Sequence, residues 1–133
     1  MIMRPHKIGA RAEYRQQEGQ RIKDSASLAD KFPQLKSLTV DLTYFNPGGV
    51  SRNSQIKYTV NLANAKSRFR FSCPNEQCVG GDFDLSAALA KAVTGRRKLA
   101  VGELRCQGYR KKANLDKVPC QILLRYKLSL LYV

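Results

Sequence analysis

Acids, histidine and long apolar runs are what this 133-residue chain has least of. Asp and Glu number 10 against 24 Lys and Arg, so the formal net charge is +14. No paired carboxylates suited to acid–base work are evident among so few acids. The one histidine, His6, sits in a polar N-terminal stretch, and no Ser-His-Asp or Cys-His constellation can be assembled around it. The chain is therefore not expected to be an enzyme. No apolar run approaches the ~18–20 residues that span a bilayer. The opening MIMRPHKIGARAEYRQQEGQR has no apolar core of a secretory signal. A cytoplasmic protein with no membrane partner is the expectation. Internal repeats and low-complexity tracts are also missing. What remains is ordinary in bulk: 43% hydrophobic and 26% charged residues exclude wholesale disorder. The length fits one domain.

Residues 1–24 are polar and rich in Arg and Gln, and read as a basic N-terminal arm with a disordered tip. Residues 11–23 could be helical, but Ala12, Tyr14 and Ile22 make no stripe, and a helix polar all round needs a partner. Residues 25–133 read as a single α+β domain. A short helix at 27–32 can be capped by Ser25 or Ser27 and stopped by Pro33. Period-two alternation then gives strands at 37–45, 55–62 and 68–73, with Asn46-Pro47-Gly48-Gly49 as a turn. Leu85, Ala88, Leu89, Ala92 and Val93 form one helical stripe, which Asp84 or Ser86 can cap and Gly95 can end. A fourth strand at 99–107 changes parity at Gly102, where a β-bulge is expected. A basic loop, GYRKKANLDKVP, leads to a long last strand at 120–133.

Together these predict a five-stranded, mainly antiparallel sheet with one helix packed on one face, plus a polar N-terminal extension with a short helix. The order 1-2-3-5-4 makes every pair antiparallel. The alternative sets the last strand beside the first.

Four cysteines, Cys73, Cys78, Cys106 and Cys120, carry the most information. The strand map brings Cys73, Cys106 and Cys120 to one end of the sheet on the inward phase, and Cys78 hangs from the loop just after Cys73. Three readings compete. Four thiolates can hold a structural zinc ion tetrahedrally. Two disulfides, Cys73–Cys78 and Cys106–Cys120, are the second, set against the absence of an export signal. Four buried free thiols are the third. The four-residue gap in CPNEQC is not the C-x-x-C of redox enzymes.

CPNEQC resembles the knuckles of zinc-ribbon proteins, and Cys106-Gln107-Gly108 is an echo of a second knuckle. The resemblance implies a zinc cofactor on Cys73, Cys78, Cys106 and Cys120. The 13 residues between Cys106 and Cys120 depart from the two to four of a ribbon knuckle.

The charge implies a polyanionic partner. Cations cluster at 91–112, where eight Lys and Arg face Glu103 alone. On the strands, the outward phase collects Lys57, Arg68, Arg70, Arg105, Arg125 and Lys127, with Asp41 the one acid and with Phe45 and Tyr109 near strand ends. Cations and aromatics on an open sheet can hold a phosphate backbone and stack bases. The expected function is a non-enzymatic, zinc-stabilised module binding nucleic acid or a ribonucleoprotein. The alternative is a protein-interaction or regulatory module with an acidic partner, met through a sheet edge or the last strand. Val79-Gly80-Gly81 could bind a phosphate, but Asp82 and Asp84 would repel one. The glycines more simply let the loop turn around the cysteines.

Overall fold

The structure, a computed structural model, describes residues 10–46, 54–75, 78–111 and 117–133. The arm's tip with His6, the Pro47-Gly48-Gly49 part of the first turn and the middle of the 108–119 loop lie outside the described residues. The fold is α+β. Its elements, among the described residues, are α1 (Ala10–Asp24), α2 (Leu28–Lys31), β1 (Leu35–Phe45), β2 (Ser54–Thr59), β3 (Arg70–Ser72), β4 (Asp82–Asp84), α3 (Ser86–Thr94), β5 (Leu99–Arg105), β6 (Tyr109–Lys111), β7 (Lys117–Pro119) and β8 (Leu123–Tyr132). No helix among the described residues is long and apolar enough to cross a membrane.

Two long alternating segments build the centre. β1 and β8 pair antiparallel from Leu35↔Tyr132 to Phe45↔Leu123, with one irregularity between Leu35 and Ser37. β2 pairs with the far side of β1, and β5 with the far side of β8, giving the order β2-β1-β8-β5. The last strand thus lies beside the first, the alternative arrangement. The main sheet has four strands among the described residues rather than five. The segment at 68–73 leaves it and pairs instead with β4, from Arg70↔Asp84 to Ser72↔Asp82. β1 and β8 pair over ten residue positions and share one apolar face, whereas β3 pairs over three.

Leu38, Val40, Leu42, Leu124, Leu128 and Leu130 line the inner face and are buried. α3 presses Leu89, Ala92 and Val93 onto the core, joined by Leu85 just before its first residue. Asp84 Oδ1 accepts from the Ser86 N–H at its start, and the Gly95 N–H closes its end on the Lys91 carbonyl. α2 is capped by the Ser27 hydroxyl, which accepts from the Asp30 N–H.

The expected bulge at Gly102 is not formed. β5 keeps an unbroken register with β8, from Leu99↔Ser129 to Arg105↔Leu123. The parity change has another cause: Leu99 and Val101 face outward and are exposed. Gly102 faces inward, and its missing side chain makes room for the Tyr126 ring, which a Cβ there would strike.

α1 has the partner that its polarity demands. Glu18, the one buried residue of α1 among those whose burial is described, meets Arg68 and Arg70 across the packing seam, and Tyr14 Oη donates to Asp82 at 2.9 Å.

Candidate metal centre

Three chain segments converge beyond one end of the main sheet. The β3–β4 hairpin supplies Cys73 and Cys78, the end of β5 runs into Cys106, and Cys120 precedes β8. Backbone bonds fix the segments to one another. The Cys120 N–H donates to the Gly108 carbonyl at 2.9 Å, and the Cys106 N–H to the Ile122 carbonyl at 2.9 Å. Val79 and Tyr109 exchange both of their backbone bonds, at 2.8 and 3.1 Å.

All four thiols are buried, and their sulfurs lie within 4.8 Å of one another. Cys73 Sγ is 3.7 Å from Cys120 Sγ, and Cys78 Sγ is 3.6 Å from Cys106 Sγ. Four sulfurs bound at about 2.3 Å around a tetrahedral ion stand about 3.8 Å apart along each edge. A disulfide needs about 2.05 Å. The spacing therefore suits an ion at the centre. These two close pairs run crosswise, joining Cys73 with Cys120 and Cys78 with Cys106.

Backbone N–H groups add to the donor set. The Gly108 N–H donates to Cys106 Sγ at 3.4 Å, and the backbone of Asn75 does the same for Cys73. Each knuckle thus turns an amide two residues on toward its first sulfur, which stabilises a thiolate. The echo of CPNEQC in Cys106-Gln107-Gly108 is a repeat of this local geometry.

The protons are shared unequally. Hydrogen bonding from Cys73 draws Cys106 down to about 5 against its burial, with the Gly108 amide helping. The same bond to Cys106, with burial, pushes Cys73 up, and burial first pushes Cys78 up to about 12. Of these three thiols, Cys106 is the readiest to ionise. A divalent cation displaces the other protons by supplying the positive charge they provided.

Two glycines set the size of this pocket. A Cβ on Gly81 would collide with Cys78 Sγ and lie 2.5 Å from Cys106 Sγ. A Cβ on Gly108 would collide with Cys78 Sγ and lie 2.6 Å from the Gly81 nitrogen. The part played by Gly108 was not evident from spacing, because Cys78 is its neighbour only in three dimensions.

The expected basic face divides. Lys57, Arg105, Arg125 and Lys127 do share the outer face of the main sheet, by register with Asp41, Glu103 and Leu123. Phe45 joins them, with the Arg125 guanidinium 4.8 Å from its ring centre and 3.2 Å from Glu103. Arg68 and Arg70 do not. β3 lies off that sheet, and its outward side is covered by α1, so both guanidiniums are neutralised. Arg68 pairs with Glu18, and Arg70 pairs with Glu18, Asp82 and Asp84 at 2.8, 3.2 and 3.3 Å. Tyr109 is also elsewhere, in β6 beside the cysteines, because the chain turns in around them after Cys106.

Compared with family models, with curated proteins and with solved structures, the chain matches none. The likeness to zinc ribbons rests on the four cysteines and their turns.

Proposed function

We propose that the protein is a non-enzymatic, zinc-stabilised module that binds nucleic acid or a ribonucleoprotein. The observation that carries the metal half is the 3.6–3.7 Å crosswise spacing of buried sulfurs. Four soft thiolates in tetrahedral array favour zinc, and a site closed by four protein ligands is structural rather than catalytic. The binding half is supported by the outer face of the sheet. Lys57, Arg105, Arg125 and Lys127 stand exposed there against Asp41 and Glu103 among the described residues, on a chain of net charge +14. A phosphate backbone laid across the strands would meet several cations at once and release their counterions.

Lys57 and Lys127 make the cleanest test, since neither forms an ion pair among the described residues. Changing both, Lys57→Ala with Lys127→Ala, should weaken RNA binding and flatten its log–log salt slope by about two. An unchanged slope would remove the outer face from the reading.

One observation favours a second reading. Leu99 and Val101 are 51% and 66% exposed on the edge strand β5. An acidic protein adding a strand there would bind with a shallow salt dependence instead.

A further inference from the structure

The inner face of the main sheet is not covered to its edge. Tyr58 and Ile56 lie on that face, in register with buried Val40 and Leu42, yet they are 40% and 51% exposed. The apolar cover supplied by α3 and the β3–β4 hairpin stops short of β2. A groove of about 370 Å³ opens between β2 and the 61–71 segment. That is within the ~300–1,000 Å³ of small-molecule clefts. Tyr58 and Phe71 line it, with Lys66, Arg68 and Asn64. Phe71 packs edge-on against Phe69, with ring centres 4.9 Å apart. Lys66 forms no ion pair among the described residues, and Arg68 shares its carboxylate, Glu18, with Arg70.

We propose that this groove takes one base of a single-stranded nucleic acid, stacked on Tyr58, with an adjoining phosphate at Lys66. The inference deepens the nucleic-acid reading and rests on it. An aromatic face accepts any base, the Asn64 amide can both donate to and accept from a base edge, and Lys66 matches the phosphate. A duplex offers no free base face, so the groove selects single strands. The outer face, by contrast, presents mainly cations to phosphates and takes either form.

The full-length, zinc-loaded protein should be titrated with a single-stranded oligouridylate and with an RNA duplex of equal length. The chain has no tryptophan and six tyrosines, so the part of the tyrosine quenching that depends on Tyr58 reports stacking. Tyr58→Ala should weaken single-strand binding about tenfold and remove most of the quenching, with the salt slope kept. Tyr58→Phe should restore affinity, and duplex binding should be the same in all three proteins. Melting and metal content confirm that the variants fold, as expected for a side chain two-fifths exposed. The groove is refuted if Tyr58→Ala binds the oligouridylate like wild type while Lys57→Ala with Lys127→Ala loses affinity, and the nucleic-acid reading then survives. Equal losses on single strand and duplex overturn the stacking assignment. A polyglutamate peptide that gives the same Tyr58-dependent quenching reassigns the groove to acidic protein. If wild type binds neither RNA at low salt, both readings fall.

Discussion

Gly108 carries as much of the cysteine pocket as any thiol, because space is what it contributes. Its neighbours leave no slack: the obstructing atoms include the nitrogen and Cα of Gly81, at 2.6 and 2.7 Å from where a Cβ would stand. Backbone cannot rotate away as a long side chain can. Relief would require parting the two loops that bring Cys78 and Cys106 together. Gly108→Ala should therefore lower bound metal well below one per chain and destabilise the fold by at least the ~1–3 kcal/mol of overpacking. Gly19 is the control: in α1, a Cβ there meets nothing within 4 Å. Gly19→Ala should stabilise by roughly 0.5–1 kcal/mol through helix propensity alone. Metal stoichiometry and urea midpoints measure both. A Gly108→Ala protein that binds metal and unfolds like wild type would show that the loops yield after all. The cysteines themselves were legible in the sequence, since strand parity brought three of them to one end on one phase. The two glycines' contacts were not, because residues 81 and 108 meet only after the chain has passed through α3 and β5.

α1 shows how far an element can be from its sequence signal. Its 15 residues have no apolar stripe, so periodicity could not say which side it would present. One buried carboxylate decides that. Burial pushes Glu18 up, but hydrogen bonds from Arg68 and Arg70 outweigh it and hold the group below its ordinary range. A depressed folded-state value stabilises above the unfolded value of about 4.5 and is lost as pH falls through the folded one. Asp84 shifts the same way, its burial outweighed by bonds from Ser86 and by Arg70. Asp82 is raised by burial and opposes them. Glu18→Gln should cost about 1–3 kcal/mol, less than the 3–5 of a fully buried pair because Arg68 keeps a third of its side chain in water. The loss should be local. Amides of Ala10–Asp24 should exchange at least tenfold faster at neutral pH, while those of β1 and β8 keep their protection. Wild type should move toward the same pattern as the pH falls from 4.5 through the lower folded-state value of Glu18. Unchanged exchange in α1 would mean that some other contact docks it. The alternation of Phe69 and Phe71 with Arg68 and Arg70 was legible, and the rings do pack inward. That the outward side is covered was not, since its cover lies fifty residues earlier in the chain. Likewise, alternation identified β1 and β8 but could not say that they are neighbours, because parity fixes a strand's faces and leaves its partners open.

Among the described residues, three sheets meet at the cysteines. The main sheet reaches the cluster through Cys106 and Cys120, the β3–β4 sheet through Cys73 and Cys78, and the β6–β7 pair lies in the chain between Cys106 and Cys120. The small sheets have three-residue strands, too short to persist by themselves. The main sheet has a full apolar layer of its own beneath α3. If the cysteines hold the proposed metal, removing it should therefore divide the molecule unequally. A chelator should abolish exchange protection in β3, β4, β6 and β7 and lower the melting temperature by on the order of 10 °C or more. Most of the strand signal from β1 and β8 should remain. One equivalent of zinc should reverse both changes. The electrostatics make a companion measurement decisive. Four thiolates around a divalent ion carry a net −2, so demetallation does not reduce the positive charge of the chain. Phosphate contacts on the outer face belong to the sheet that survives, so duplex RNA should still bind the chelated protein with its salt slope intact. Single-strand selectivity should vanish, because the groove needs the wall that includes Phe71. Metal-free protein that melts like the loaded form, with all four thiols titratable, would show that the cysteines are packing residues and that the three sheets are joined by the apolar core alone.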